Sequence, residues 1–299
     1  MKNKIENVLV FGGSGFLGNY LVNELINREY LVTVADIQSN IINNKKVEFI
    51  KCDINSKENI ESVFKNKSFD IVYNLAGFSN LDEAIKFPLK TMQLNVISNI
   101  YILDECVKCN INRYVYASSA YAMSNKGSFY GISKLASEKI IEEYKLKYDL
   151  SFTILRYGSV YSEKAFHNNY IYNVVKSAVL EGKINHNGDG NEWREYIHAA
   201  DASKLSVDVI ETKSFNNVHV ILTGNERMKR SDLFNMINEI LNDKLEINYK
   251  NDGYNNHYNY TPYSFVPSVS KKLSANPNID IGQGILECIR SVNEYEKKL

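Results

Sequence analysis

Residues 7–18, NVLVFGGSGFLG, decide the fold. An apolar run too short to be a helix breaks on Gly12. Gly12, Gly15 and Gly18 then follow at G-x-x-G-x-x-G spacing, directly ahead of the helical pattern LGNYLVNELIN. A strand turning on glycines into a helix is what a dinucleotide pyrophosphate requires. The first glycine allows the tight turn, the second lets backbone approach the phosphates, and the third lets the helix pack on the strand. Asp36 closes the next apolar run, LVTVAD, 18 residues beyond Gly18. A carboxylate there can accept hydrogen bonds from the adenosine ribose hydroxyls and would repel a 2′-phosphate, which favours NAD over NADP. Asp53, ending VEFIKCD with Ile54 after it, is placed either to meet the adenine edge or to stand solvated at a strand end.

Outward from this unit, apolar runs alternate with helical patterns. Strands are expected at 7–13, 31–36, 47–53, 70–77, 113–119, 151–161 and 216–222, and helices at 15–27, 56–65, 91–109 and 131–148. The alternation predicts an α/β fold, a doubly wound, mostly parallel Rossmann sheet with a smaller C-terminal α/β substrate-binding region. The dinucleotide domain is expected over 1–164 with 196–222 returning to it, and the substrate region over 165–195 and 223–299. Beyond 225 the alternation ends. A helix at 231–242, opened by the cap candidate Ser231, precedes the tyrosine-rich stretch YNNHYNYTPYSFVPS.

Composition narrows the function classes. The 299 residues carry 35 Lys+Arg and 35 Asp+Glu, so no general field holds a nucleic-acid backbone or an anionic membrane, and any bound anion needs a local site. No run approaches the roughly 18 apolar residues of a membrane span, and the first residues lack a signal-peptide core, so the chain reads as cytosolic. Four cysteines make no disulfide framework, and Cys106 and Cys109 have no second pair to form a metal site. The 21 tyrosines against one tryptophan fit either an AT-rich genome or a polar binding surface.

Tyr130-Gly-Ile-Ser-Lys134 sets a phenol and an ammonium four residues apart, on one face of a helix start. A lysine cation stabilises phenolate and makes Tyr130 a candidate general base. Upstream, RYVYASS would bring Ser118 and Ser119 to the carboxyl edge of the sheet, where open α/β sheets bind ligands.

With these motifs in order, the sequence resembles the extended short-chain dehydrogenase/reductases, specifically the NAD-dependent nucleotide-sugar epimerase/dehydratase group. The resemblance rests on GGSGFLG (12–18), Asp36, CDI (52–54), NLAG (74–77), Asn95 in QLNV, YASSAYA (116–122), YGISK (130–134), LRYGSVY (155–161) and GDGNEWREYIHAAD (188–201). It implies that Tyr130 takes a sugar hydroxyl proton while hydride passes to NAD, that Lys134 binds the nicotinamide ribose, and that Ser119 orients the sugar. It further implies NAD contacts from Gly12, Gly15, Phe16, Leu17, Gly18, Asp36, Asp53, Ile54, Leu75, Ala76, Gly77, Asn95, Tyr130 and Lys134. A nucleoside-diphosphate sugar would meet Ser119, Ala120 and Tyr121, with its diphosphate on Arg194, whose bland alternative is a surface ion pair with a neighbouring glutamate. Dimerisation through the helices at 91–109 and 131–148 is implied as well.

The departures are as informative. Dehydratases of this family carry an Asp-Glu pair after the catalytic Ser/Thr, whereas Ala120 and Tyr121 stand here, which disfavours 4,6-dehydration. The loop from Ser119 to Tyr130 is short, suiting an open sugar pocket and a sugar as large as a heptose. The family's C-terminal arginine-aspartate pair is absent, so His257, Tyr258 and Tyr260 become candidates for the base and diphosphate site, against a packed loop. His167, His186, His198 and His219 read as structural. The expected activity is oxidation of a ring hydroxyl, at C4, of a hexose or heptose, by an epimerase or a dehydrogenase. The alternatives are a 4,6-dehydratase and a non-catalytic dinucleotide-binding regulator.

Overall fold

The computed structural model describes residues 6–39, 44–165, 169–250, 259, 271–276 and 278–296. From β1 (Asn7–Phe11) the chain passes through the glycine turn into α1 (Phe16–Asn27), then β2 (Leu31–Asp36) and β3 (Val47–Lys51). α2 (Lys57–Phe64), β4 (Ile71–Asn74), α3 (Leu81–Lys86) and α4 (Pro88–Met92) follow. A π-helical stretch, Gln93–Ile97, leads into α5 (Ser98–Lys108) and β5 (Arg113–Ser119). Next come α6 (Ser128–Tyr148), β6 (Phe152–Tyr157), β7 (Ser159–Tyr161) and α7 (Tyr170–Glu181). β8 (Lys183–Asn187), β9 (Trp193–His198), α8 (Ala199–Glu211), β10 (Val218–Leu222) and β11 (Arg227–Lys229) lead to α9 (Arg230–Ile240). β12 (Glu246–Lys250), β13 (Lys271–Leu273) and α10 (Ile281–Ser291) follow, and a second π-helical stretch, Val292–Glu296, ends the described elements.

Eight strands form one sheet in the order β13-β10-β6-β5-β4-β1-β2-β3, and every neighbouring pair is parallel. Its inner strands are apolar on both faces because both are covered. In β1, Val8 and Val10 pack with Leu21, Leu25 and Leu205 on one side, while Leu9 and Phe11 pack with Ile60, Ile102 and Ile141 on the other. The strand order reverses between β1 and β4, which opens a crevice at the carboxyl edge directly over the glycine turn. Arg28 ties α1 to α8 through Asp208 (2.7 Å) and Glu211 (3.0 Å).

Two expected elements divide, for local reasons. The strand expected over 151–161 stops at Gly158, whose N–H still donates to Leu222 O; the chain then leaves the main sheet, and β7 pairs with β9. The helix expected over 91–109 is interrupted by the π-helical stretch around Asn95. The third departure concerns residues 271–273, which the sequence reading gave to the substrate region. They pair in parallel with β10 and form an outer strand of the main sheet, satisfying backbone groups that β10 would otherwise leave unpaired. Apart from the main sheet stand a β11-β9-β7 sheet and a β12-β8 pair. They are packed on a third core built from Tyr172, Val175, Leu233, Phe234, Ile285 and Cys288. Among the described residues no helix is long and apolar enough to cross a membrane.

Candidate functional site

The glycine turn is built for close approach. Gly12 adopts φ +79°, and a Cβ there would stand 2.6 Å from Ala76 N; a Cβ on Gly18 would stand 2.1 Å from Gly12 O. Neither position accepts a side chain without moving backbone. Gly15 caps α1 with no side-chain hydrogen bond, so the first N–H groups of the helix point toward the turn with no capping side chain in front of them. The Asp36 carboxylate accepts from Ser14 N (3.0 Å) and Gln38 N (3.1 Å), holding the acidic group beside the turn. This set fits NAD: an uncapped helix start for the pyrophosphate and a fixed carboxylate at the end of β2. Phe16 packs toward the smaller core and Leu17 against the main one, so α1 joins both. Asp53 is exposed and accepts from Asn55 N (2.9 Å), with Ile54 buried beside it.

Leu75, Ala76 and Gly77 form the facing wall, with Leu75 N donating to Phe11 O. Asn95 clamps that wall from behind. Its Oδ1 accepts from Phe78 N (2.6 Å), and its Nδ2 donates to Phe78 O (3.0 Å) and Ser133 Oγ (2.9 Å). Asn95 is 2% exposed and both amide hydrogens are taken, so it holds the 75–78 loop against α6. The π-helical stretch aims it there, a use of such bulges seen often near functional sites.

β5 and α6 carry the candidate chemistry. Lys134 is buried and its Nζ donates to Ala117 O (2.8 Å), lying 4.8 Å from the Tyr116 ring centre and 5.9 Å from that of Tyr130. Burial pushes the ammonium down to about 8, against the opposing pull of Glu138. Glu138, one turn further along α6, is fully buried yet held at about 2. Burial alone would raise it, but the His219 ring 3.5 Å away and the hydrogen bonds from Arg156 and Ser118 outweigh that effect. Arg156 donates through Nε (3.0 Å) and Nη2 (2.7 Å), and Ser118 Oγ donates to the same carboxylate. Ser118 therefore serves this buried network, while Ser119, at the strand end, accepts from Tyr121 N (3.3 Å). Ala120, a candidate sugar contact, is buried at 1% exposure. Tyr121 packs edge-on to Tyr130, ring centres 6.1 Å apart, and covers Gly127, whose φ of +93° and close approach to that ring both require glycine.

Arg194 lies on β9, buried at 2% exposure, and its Nη1 donates to Trp193 O (2.8 Å). The side chain is buried rather than at the surface. Glu195 engages Arg227 (3.0 Å), and Glu192 engages His186. Sequence reasoning missed Arg230, Tyr170 and Glu192 beside it. Only the pairing of β11 with β9 brings Arg230 to the GDG turn, and no local spacing announces that pairing. Glu163, His198 and Glu287 place donor atoms within 4.8 Å of one another. His198 Nδ1 accepts from Ala200 N, so its proton sits on Nε2, facing Glu163. This is a hydrogen-bonded network rather than a ready ligand set. Cys106 is buried and Cys109 exposed, so they share no site. His167, His257, Tyr258 and Tyr260 lie outside the described residues.

Comparison with known proteins agrees with this geometry. A provisionally named UDP-glucose 4-epimerase of Methanocaldococcus jannaschii is 28% identical over 305 residues, covering 93% of this chain and 95% of that protein. The UDP-glucose 4-epimerase of Thermotoga maritima, solved with UDP-glucose, superposes with a TM-score of 0.81 at 21% identity, covering 96% of this chain and 99% of that one. The Thermus thermophilus UDP-glucose 4-epimerase, solved with NAD, gives 0.79 at 20% identity, covering 97% and 99%. The model of the NAD dependent epimerase/dehydratase family matches residues 8–224. With the glycine turn, Asp36 and the Tyr130–Lys134 helix in place on a parallel sheet, the chain belongs to the NAD dependent epimerase/dehydratase family.

Proposed function

We propose that this enzyme interconverts C4 epimers of a nucleoside-diphosphate hexose, with Tyr130 as base, Lys134 as its electrostatic partner and Ser119 orienting the reacting hydroxyl. The observation that carries this reading is the conjunction of Tyr130 and Lys134 at the head of α6 with Ala120 and Tyr121 after Ser119. Proton transfer at one hydroxyl is provided for, while the carboxyl groups that elimination of water needs are lacking at 120 and 121. NAD, when bound, accepts a hydride from the ring carbon and can return it. Tyr130 takes the hydroxyl proton and gives it back on the return step, and the Lys134 ammonium favours the phenolate meanwhile. Ser119, fixed at the strand end, hydrogen-bonds the same oxygen in both its alcohol and carbonyl forms. Arg194, buried beside the GDG turn, is suited to the substrate diphosphate. The similarity to UDP-glucose 4-epimerases supports a UDP sugar.

Incubation of the enzyme with UDP-glucose and substoichiometric NAD tests the reading. Many turnovers to UDP-galactose are expected. A stop after one equivalent of NAD would mean a net dehydrogenase, and a 4-keto-6-deoxy product would mean a dehydratase. A panel including nucleoside-diphosphate heptoses settles sugar size. The site works within a homodimer in this reading, because Ile132 and Leu135 expose apolar side chains on α6, one of the two helices expected to pair. Sedimentation of Ile132→Lys as a monomer beside a dimeric parent would support that assembly.

A further inference from the structure

Arg230 opens α9 at 8% exposure, and its Nε and Nη1 are buried without any hydrogen-bond partner. A guanidinium cannot shed its charge, so a buried one with idle donors is costly unless an anion completes it. One face is already covered: its Cζ lies 3.8 Å from the centre of the Tyr170 ring. The Tyr170 hydroxyl donates to His186 Nδ1 (3.0 Å), and His186 Nε2 donates to Glu192 (3.0 Å). This chain spends the nearest carboxylate on the histidine rather than on the arginine. Burial, reinforced by Arg230 and opposed by Glu192, lowers the basicity of His186.

The ladder fixes where Arg230 points relative to Arg194. Met228 stands opposite Arg194 in the antiparallel β11–β9 pair, and Arg230 N continues the ladder to Glu192 O at 3.0 Å. Arg194 and Arg230 therefore project from the same face, diagonal neighbours on facing strands. Ser231 N donates to Gly190 O (2.9 Å), which fastens the start of α9 to the GDG turn.

We infer that Arg230 is a second phosphate-binding arginine, gripping the diphosphate of the sugar nucleotide together with Arg194 in a chain that lacks the family's C-terminal arginine-aspartate pair. This rests on the proposed nucleoside-diphosphate substrate. Titration calorimetry of UDP and of uridine against the parent, Arg230→Met and Arg230→Lys tests it. Expected are a loss of UDP affinity of about tenfold or more in Arg230→Met, little change for uridine, an intermediate loss in Arg230→Lys, and unchanged NAD binding. The thermal midpoint of nucleotide-free Arg230→Met should match or exceed that of the parent, since a buried guanidinium with two idle donors gives way to an apolar side chain. UDP binding equal to the parent's in Arg230→Met, or equal losses for UDP and uridine, would overturn the assignment. A parent enzyme that binds no UDP would instead remove the proposed substrate class.

Discussion

The dinucleotide side and the sugar-nucleotide side of this molecule hold their polar groups in opposite conditions. Around the glycine turn and α6, four groups that build the site are partnered before any ligand arrives. Asp36 is fixed by Ser14 and Gln38, Asn95 by Phe78 and Ser133, Lys134 by Ala117, and Glu138 by Ser118 and Arg156. Around Arg230, a buried guanidinium keeps two donors idle beside an aromatic face. The first side is preorganised, so its groups serve fold and function together. The second keeps unspent charge, so substitution there should trade affinity against stability.

Substitutions can break that contrast. The largest effect is expected for Tyr130→Phe, which removes the proposed base and should lower kcat by about 10²–10⁴-fold. NAD binding and thermal midpoint should hold, as dye-monitored melting with and without NAD would show. Retained activity would end the assignment. Glu138→Gln attacks the assembled side: it strands Arg156 and should cost about 3–5 kcal/mol in urea unfolding. The acidity of Glu138 adds a pH signature. Its folded value lies below the ordinary 4.5, so its contribution is present above pH 4.5 and is lost as pH falls toward 2. Glu138→Gln should flatten acid destabilisation in that window. Asp36→Ala should weaken NAD by about 1.5–3 kcal/mol, the worth of hydrogen bonds to a charged group, while tolerating NADP better than the parent does. The smallest effect is in the pH profile. The Lys134 ammonium loses its proton near pH 8 in the free enzyme, so kcat/KM should fall about tenfold per pH unit above that point. Lys134→Met should be slow at all pH values and lack that limb.

Much of the dinucleotide side is legible in the chain because its signals are local. A strand, three glycines and a helix follow in twelve residues, and Tyr130 and Lys134 are neighbours by helix periodicity alone. The division at Gly158 is harder to read, since both halves of 151–161 are extended and only their partners differ. Asn95 reads as a cofactor contact in the motif, yet its carboxamide is consumed by Phe78 and Ser133, groups distant in sequence. Ala120 was similarly placed by adjacency to Ser119, and its burial depends on the turn that follows β5.

From the sequence alone came the parallel α/β class, the NAD turn with Asp36, and the Tyr130–Lys134 pair, because glycine sterics, strand-helix alternation and one helical turn are properties of adjacent residues. Only the tertiary structure decided that Lys271–Leu273 returns to the main sheet, that Glu138 and Arg156 anchor α6, and that Arg230 reaches the face of Arg194. Each depends on strand partners or buried neighbours far apart in the chain, and a buried charge acquires its meaning from what surrounds it rather than from what precedes it.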